Sequence, residues 1–365
     1  MTISARLSTI RERIAADGLD YLLVTQPENR RYLSGFADRD LSISSSAGWL
    51  LIGQDVGYFL TSFLYLEAVR ESVRDLDAVR ITGTEPEGLA AKLAELPPGV
   101  VGFEPHWLTY QQFGELASEL PKGFTLKPTD GLVEEYRQIK DAEEIAALEA
   151  VAQLTDDAYQ HVVSLVRVGM TEKQVAWEIE RYIREHGGEG LSFPTLVAAG
   201  PHSAVPHHSP TDRPLGAGEP IWIDMGALLN GYCGDLTRSF CLERADGRFQ
   251  TIYQIVDQAN KAASAGLRAG LTGVEGDALA RRVIVEAGYP EAFAHSLGHG
   301  IGLAIHEGPR VSRLGKQTLR AGMVTSIEPG IYLSGWGGVR IEDVAVIAEA
   351  GVRVLTHAPK QVIIG

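Results

Sequence analysis

Ile223-Asp224-Met225-Gly226 with Gly234-Asp235 is answered further along the chain by Ile327-Glu328-Pro329-Gly330 with Ile341-Glu342. From Ile223 to Ile327 is 104 positions, and from Asp235 to Glu342 is 107. The echo extends upstream. Arg167-Val-Gly-Met-Thr171 returns 101 positions later as Arg268-Ala-Gly-Leu-Thr272. Each copy precedes an amphipathic helix, with Val175, Ile179 and Ile183 on the first stripe and Leu279, Val283 and Ala287 on the second. The period is too long for a solenoid. Four echoes in the same order predict a duplicated half folded about a pseudo-twofold axis, with both strand pairs and their acids at the centre.

The first strand pair sets the geometry. Asn230-Gly231 is a strong hairpin-turn signal. With that turn, Asp224 opposes Thr237 and Asp235 opposes Gly226, so the two acids share one face as diagonal neighbours ~7–8 Å apart at most. Carboxylates closing on a buried face repel, and each costs several kcal/mol to desolvate. Arg238 is the nearest cation in sequence, but strand alternation points it to the opposite face. If Glu328 and Glu342 join the cluster, one arginine cannot balance four acids, and a metal can.

Six of the ten histidines fall between His202 and His306, and His295, His299 and His306 share one glycine-rich segment. Those glycines let the backbone pass close to something bulky. An acid-dominated site with one imidazole suits Mn²⁺ first, with Co²⁺ and Zn²⁺ as alternatives. Four acids and a histidine exceed the needs of one ion. Two divalent ions bridged by hydroxide use them better, in a geometry suited to attack on an amide.

The remaining sequence bounds the setting. The 365 residues carry 47 acids against 33 lysines and arginines, a net charge of −14, so a nucleic-acid partner is not expected. Met1–Gly18 reads as an amphipathic helix rather than a signal peptide, and no apolar run is long enough to span a membrane. Cys233 and Cys241 read as buried free thiols, which suits a cytoplasmic location. Residues 1–127 alternate strand-like and helix-like runs, as in a smaller α/β domain. Pro121–Asp130 reads as a linker, and residues 128–365 as the second domain, giving an α+β protein overall.

Ile223-Asp-Met-Gly…Gly234-Asp235-Leu-Thr-Arg238, His295-Ser-Leu-Gly-His-Gly-Ile-Gly…His306-Glu, Ser326-Ile-Glu-Pro-Gly-Ile-Tyr and Gly338-Val-Arg-Ile-Glu-Asp343 together resemble the pita-bread (creatinase/aminopeptidase) metallopeptidases. Within them the chain is similar to the Xaa-Pro branch, aminopeptidase P and prolidase. Asn29-Arg-Arg-Tyr-Leu-Ser-Gly-Phe36 and Phe59-Leu-Thr-Ser-Phe-Leu-Tyr65 resemble the creatinase-type N-terminal domain, with Ser62 and Leu64 where Asp and Arg are usual.

The resemblance implies a dinuclear metallopeptidase. Asp224 would bind one metal, His299 and Glu328 the other, and Asp235 and Glu342 would bridge them. It further implies Glu328 as the base, His207 and His306 as stabilisers of the tetrahedral intermediate, His295 beside the proline pocket, and Arg340 as support for the carboxylates. The implied reaction is hydrolysis of the Xaa-Pro bond by a metal-bridged hydroxide, and the implied assembly is a homodimer. Between the branches the reading leans to Xaa-Pro aminopeptidase, with prolidase, restricted to Xaa-Pro dipeptides, as the alternative. A non-catalytic pita-bread binding protein is a remote one, because such proteins lose ligands and all five are present. Other chemistries fit worse. Ala294-His-Ser-Leu-Gly298 lacks the first glycine of a nucleophile elbow, and His306-Glu307 lacks the second histidine of a thermolysin-like motif.

Overall fold

The computed structural model describes all residues except 38, 39, 41, 42, 44 and 45. It divides into two compact units, Met1–Arg137 and Gln138–Gly365.

The first unit opens with helix α1 (Ile3–Ala16), capped by the Thr2 side chain, burying Leu7, Ile10 and Ile14 as the periodicity predicts. Strand β1 (Tyr21–Val24), α2 (Pro27–Ser34), β2 (Trp49–Gly53) and β3 (Gly57–Thr61) follow. Then come α3 (Leu66–Ser72), β4 (Asp77–Arg80), α4 (Glu85–Leu93), β5 (Val100–Phe103), α5 (Tyr110–Glu119), β6 (Thr125–Pro128) and α6 (Glu134–Arg137). The six strands form one mixed sheet in the order β4-β3-β2-β1-β5-β6. The expected boundary between residues 127 and 128 therefore falls inside β6. Lys127 pairs with Gly102 and Pro128 with Phe103, so the segment read as a linker closes the sheet, and the first unit runs on to Arg137. The ladder decides this: a strand parallel to a buried neighbour satisfies backbone groups that a linker would leave to water.

The second unit begins with α7 (Ala142–Leu165), α8 (Glu172–Glu185), β7 (Gly190–Leu191) and β8 (Leu196–Ala199). Strands β9 (Ile221–Met225), β10 (Ala227–Leu229), β11 (Tyr232–Cys233) and β12 (Leu236–Leu242) complete its first half. The second half holds α9 (Gly247–Gly266), α10 (Gly273–Glu286), β13 (Gly298–Gly300), β14 (Glu307–Val311) and β15 (Val324–Ile327). It ends with β16 (Gly330–Leu333), β17 (Gly337–Arg340), β18 (Asp343–Ala348), β19 (Gly351–Val354) and β20 (Ile363–Ile364).

The repeat is visible in backbone detail. Thr171 and Thr272 each cap a following helix through a reciprocal capping box, with Gln174 and Glu275 respectively. Gly169 and Gly270, two residues before each cap, both sit at φ 90°. Two cores form, each drawn mostly from one half, with Ile301, Val324, Val344 and Val346 of the second half joining the first. Val175, Ile179, Ile183, Ile223 and Phe240 belong to one, and Ile252, Val256, Ile284, Ile327 and Ile341 to the other. The buried stripe of α10 departs from the expected one. Gly276, Ala280 and Ile284 face inward, Leu279 and Val283 are only partly buried, and Ala287 is an exposed C-cap. A Cβ on Gly276 would press on Leu267 and Val311. Small residues here let the helix sit close, and close packing outweighs the side-chain volume that the pattern counted.

The predicted register of the first hairpin is the observed one. Asp224 pairs with Thr237 and Ile223 with Arg238, and Leu229 pairs with Tyr232 around Asn230-Gly231, both at positive φ. Cys233 and Cys241 are buried and free, and among the described residues no helix is long and apolar enough to cross a membrane.

Candidate metal centre and active-site cavity

The two long hairpins of the second unit carry Asp235, Glu328 and Glu342 at interruptions in their ladders, while Asp224 lies within β9 opposite Thr237. In the first, β9 pairs with β12 and β10 with β11, and Asp235 lies at the break. In the second, β15 pairs with β18 and β16 with β17, and Glu328 and Glu342 lie at the break. Side chains from neighbouring segments satisfy the freed backbone groups. Thr155 Oγ1 accepts from Ala227 N–H, Ser192 Oγ donates to the Gly234 carbonyl, and Asn260 Nδ2 donates to the Ile327 carbonyl. The breaks free the acids to turn toward one place.

That place is a cavity of about 710 Å³. Asp224, Asp235, Glu328, Glu342, His207, His295, His299, His306 and Arg340 all line it, so every residue singled out in the sequence is present. Asp235, His299 and Glu342 bring ligand atoms within 4.8 Å of one another. His299 Nε2 stands 3.6 Å from Asp235 Oδ2 and 3.5 Å from Glu328 Oε1. Its Nδ1 donates to the Gly300 carbonyl at 3.1 Å, which leaves the Nε2 lone pair facing the acids. A metal-ligating imidazole is held in this way.

The acids strain against one another. Burial, then repulsion from Glu342, Asp224 and Glu328, pushes the Asp235 carboxyl well above its ordinary range. Burial, then Glu328 and Asp224, does the same to Glu342. Burial raises Glu328 to about 7, although Arg340 pulls it down. Asp224 Oδ2 accepts from Arg340 Nη2 at 2.6 Å, while its Oδ1 is buried without a hydrogen-bond partner. Four carboxylates, one imidazole with its lone pair inward and one orphaned oxygen fit divalent cations and do not fit an empty hydrogen-bonded core.

The neighbours of the acids are ordered. Ser326 Oγ accepts from His299 N–H and donates to Glu328 Oε1 at 3.1 Å. Thr237 Oγ1 donates to Glu342 Oε2 at 2.7 Å and accepts from Arg340 Nε at 3.0 Å. Arg340 Nη1 donates to the Tyr332 hydroxyl at 2.8 Å, and that hydroxyl lies 3.1 Å from His295 Nε2. Burial, then the charge of Arg340, lowers His295 to about 3, so its imidazole stays neutral at physiological pH. Burial also lowers His306, whose ring meets His299 edge-on at 4.3 Å. Tyr332, Thr237 and Ser326 escaped the charge-based reading because hydroxyl residues carry no such signal. Alternation from Arg340 and Asp224 points at them in retrospect.

Arg238 points away from the acids, as strand alternation predicts, and Arg340, from the other half, meets Asp224. Gly298 and Gly300 do give close approach, but to the carbonyls of Ser326 and Gly308 on the flanking strands rather than to a bulky group.

Comparison with known proteins agrees with this geometry. Residues 146–349 match the family model described as metallopeptidase family M24, and residues 6–139 that of the Creatinase/Prolidase N-terminal domain. The Xaa-Pro dipeptidase of Pyrococcus furiosus is 32% identical over 358 residues, covering 98% of this chain and 99% of that protein. Among solved structures, the Xaa-Pro dipeptidase from Bacillus anthracis superposes with a TM-score of 0.92 at 36% identity, covering 100% of both chains. The X-Pro aminopeptidase from Thermotoga maritima superposes at 0.86 and 32% identity, covering 97% of this chain and 99% of that one.

Proposed function

We propose, from the premise that the chain belongs to metallopeptidase family M24, that it is a metal-dependent peptidase that hydrolyses the Xaa-Pro bond, and a dipeptidase in preference to an aminopeptidase. The observation that carries the reading is the donor set of Asp224, Asp235, His299, Glu328 and Glu342 around one cavity. These residues would hold two divalent ions, with Mn²⁺ favoured by the oxygen-rich donors over Co²⁺ or Zn²⁺. Bound there, the ions supply Lewis-acid activation of water and of the scissile carbonyl.

The chain's own groups do the rest. Glu328, which lines the cavity beside His299, is placed to accept a proton from the attacking water and pass it to the prolyl nitrogen. His207 and His306 donate to the developing oxyanion, where one donor is worth about 2.7–4 kcal/mol in other enzymes. Neutral His295, tied to Tyr332, borders the proline side. Phe193, Pro194, Leu196 and Ile305 give the cavity an apolar wall, and a prolyl amide without an N–H loses nothing by entering it. The family resemblance supports a homodimer, and two reduced buried thiols support a cytoplasmic setting.

Substrate length turns on Arg310. It lines the same cavity and pairs with His299 across β13 and β14, so its guanidinium extends from the face that carries the ligand histidine. A cation at that position suits the free carboxylate of a C-terminal proline. Arg310 and the dipeptidase relatives from Pyrococcus and Bacillus together move the balance from the aminopeptidase expected from sequence to its alternative. Steady-state rates on Xaa-Pro, Xaa-Pro-amide and Xaa-Pro-Yaa test this. Xaa-Pro should be preferred, and Arg310→Ala should raise KM for it about tenfold or more, the scale of one charged hydrogen bond, while sparing the amide. Equal or faster cleavage of Xaa-Pro-Yaa would restore the aminopeptidase.

A further inference from the structure

Outside the cavity lining, Glu172 is the first residue of α8, and its side chain is fully buried. Oε1 accepts from Ala199 N–H and from His202 Nδ1, each at 3.0 Å. Oε2 accepts from His208 Nε2 at 3.0 Å, from Thr211 N–H at 3.0 Å and from Thr211 Oγ1 at 2.7 Å. All five donors come from residues 199–211, and that segment carries His207. The rings of His202 and His208 rest against each other at 4.2 Å. An ion between the two imidazoles and the carboxylate is the rival reading of this trio. Three of the five hydrogen bonds come from Ala199 and Thr211, so most of the carboxylate's roughly four lone-pair sites are taken by the chain without any ion.

The opposite side of the segment is fixed to the second half of the repeat. Ser203 Oγ accepts from Gly338 N–H at 2.8 Å, and the Pro206 carbonyl accepts from Arg340 Nη1 at 3.2 Å. His207 thus leaves the backbone between two clamped points, Pro206 on Arg340 and His208 on Glu172. We propose that Glu172 is a positioning residue, which anchors residues 199–211 so that the His207 imidazole is presented to the cavity. The inference rests on the reading of His207 as an oxyanion donor.

A double-mutant cycle tests it, with kcat and KM on an Xaa-Pro dipeptide measured for the holoenzyme and for Glu172→Gln, His207→Ala and the double variant. Gln places an NH₂ where Oε2 now accepts three hydrogen bonds. Glu172→Gln should lower kcat about tenfold or more with KM changed less than about threefold, the signature of an interaction made in the transition state. The double variant should be no slower than His207→Ala, because residues that act as a unit are not additive. Losses that multiply, or a Glu172→Gln enzyme at the native kcat, overturn the proposal. A His207→Ala enzyme at the native kcat instead overturns the role of His207, and that is read before the cycle is closed. If Glu172→Gln does not yield folded protein, Thr211→Val takes its place. It removes one of the five donors, and its loss of about three- to tenfold should likewise vanish in the His207→Ala background.

Discussion

Glu342 and Asp343 are consecutive and each only 2% exposed, yet they send their carboxylates to opposite sides of strand β12. Asp343 meets Arg238 Nη2 at 2.8 Å and Lys360 Nζ at 2.7 Å. On the same side Asp156 accepts from the backbone N–H groups of His357 and Ala358. Two acids there face two cations and a set of backbone donors. Burial alone would raise Asp343, but Arg238 and Lys360 hold it below its ordinary range. Glu342 faces three other acids with Arg340 as the hydrogen-bonded cation among them, and it is pushed well up. Burial is common to both sides and raises Asp156 despite its two backbone donors, so the paired cations on Asp343 are what separate it from Glu342, which calls for a metal.

The contrast can be tested most strongly by exchanging which acid is lost. Glu342→Ala should cut kcat/KM of the holoenzyme by about 10³-fold or more, equivalent to about 4 kcal/mol of barrier. It should leave the chelator-treated protein no less stable, since it removes one of the mutually repelling charges. Activity within tenfold of the native enzyme would separate donor-poor acids from metal binding. Asp343→Ala should do the reverse. It strips the buried Arg238 of its carboxylate and should cost about 3–5 kcal/mol in urea unfolding, with turnover per folded molecule largely retained.

A smaller effect, with opposite sign on the two sides, comes from pH. Glu328 has a folded value of about 7 against an ordinary 4.5, so in chelator-treated protein the folded state holds its proton more tightly than the unfolded one. Its contribution is fully present below pH 4.5 and is lost as the pH rises through 7, at most about 3 kcal/mol in all. Asp343 is lowered, so its contribution is present above its ordinary pKa and is lost as the pH falls through its folded value. Chemical denaturation of chelator-treated protein at pH 5 and pH 8 should show the native chain weaker at pH 8 and Glu328→Gln with a shallower slope, the remainder belonging to Asp235 and Glu342, which are raised as well. A Glu328→Gln protein with the same pH slope as the native chain would remove Glu328 from this account.

Much of this was legible before any coordinates. Turn chemistry at Asn230-Gly231 and strand alternation were enough to put Asp224 and Asp235 on one face and Arg238 on the other, because period-two geometry leaves little freedom once a register is set. The duplication was legible for a similar reason, since Thr171 and Thr272 mark the same cap twice. What stayed hidden depends on contacts between segments distant in sequence. Thr237 and Tyr332 act through hydroxyls, and Glu172 binds a segment that begins 27 residues later, at Ala199. Strand β6 was hidden in a Pro- and Gly-containing stretch because its pairing with β5, rather than its own composition, makes it a strand. The inward stripe of α10 was hidden because glycine and alanine carry little hydrophobic signal while permitting the closest packing.

The finest test asks whether the far side of β12 is held by its number of charges or by the placement of its donors. Lys360 Nζ bonds both Asp343 Oδ2 and Asn260 Oδ1, but its side chain is 28% exposed, whereas that of Arg238 is 1% exposed. Water can replace part of what an exposed ammonium supplies, and it cannot reach Arg238. Lys360→Met should therefore cost only about 1 kcal/mol in urea unfolding, the scale of a partly solvated ion pair, and leave turnover unchanged. If it costs as much as Asp343→Ala, Asp343 depends on the count of cations rather than on the buried guanidinium. The acids of the cavity would then differ from those behind β12 by charge balance alone, and hydrogen-bond geometry would lose its part in telling the two sides apart.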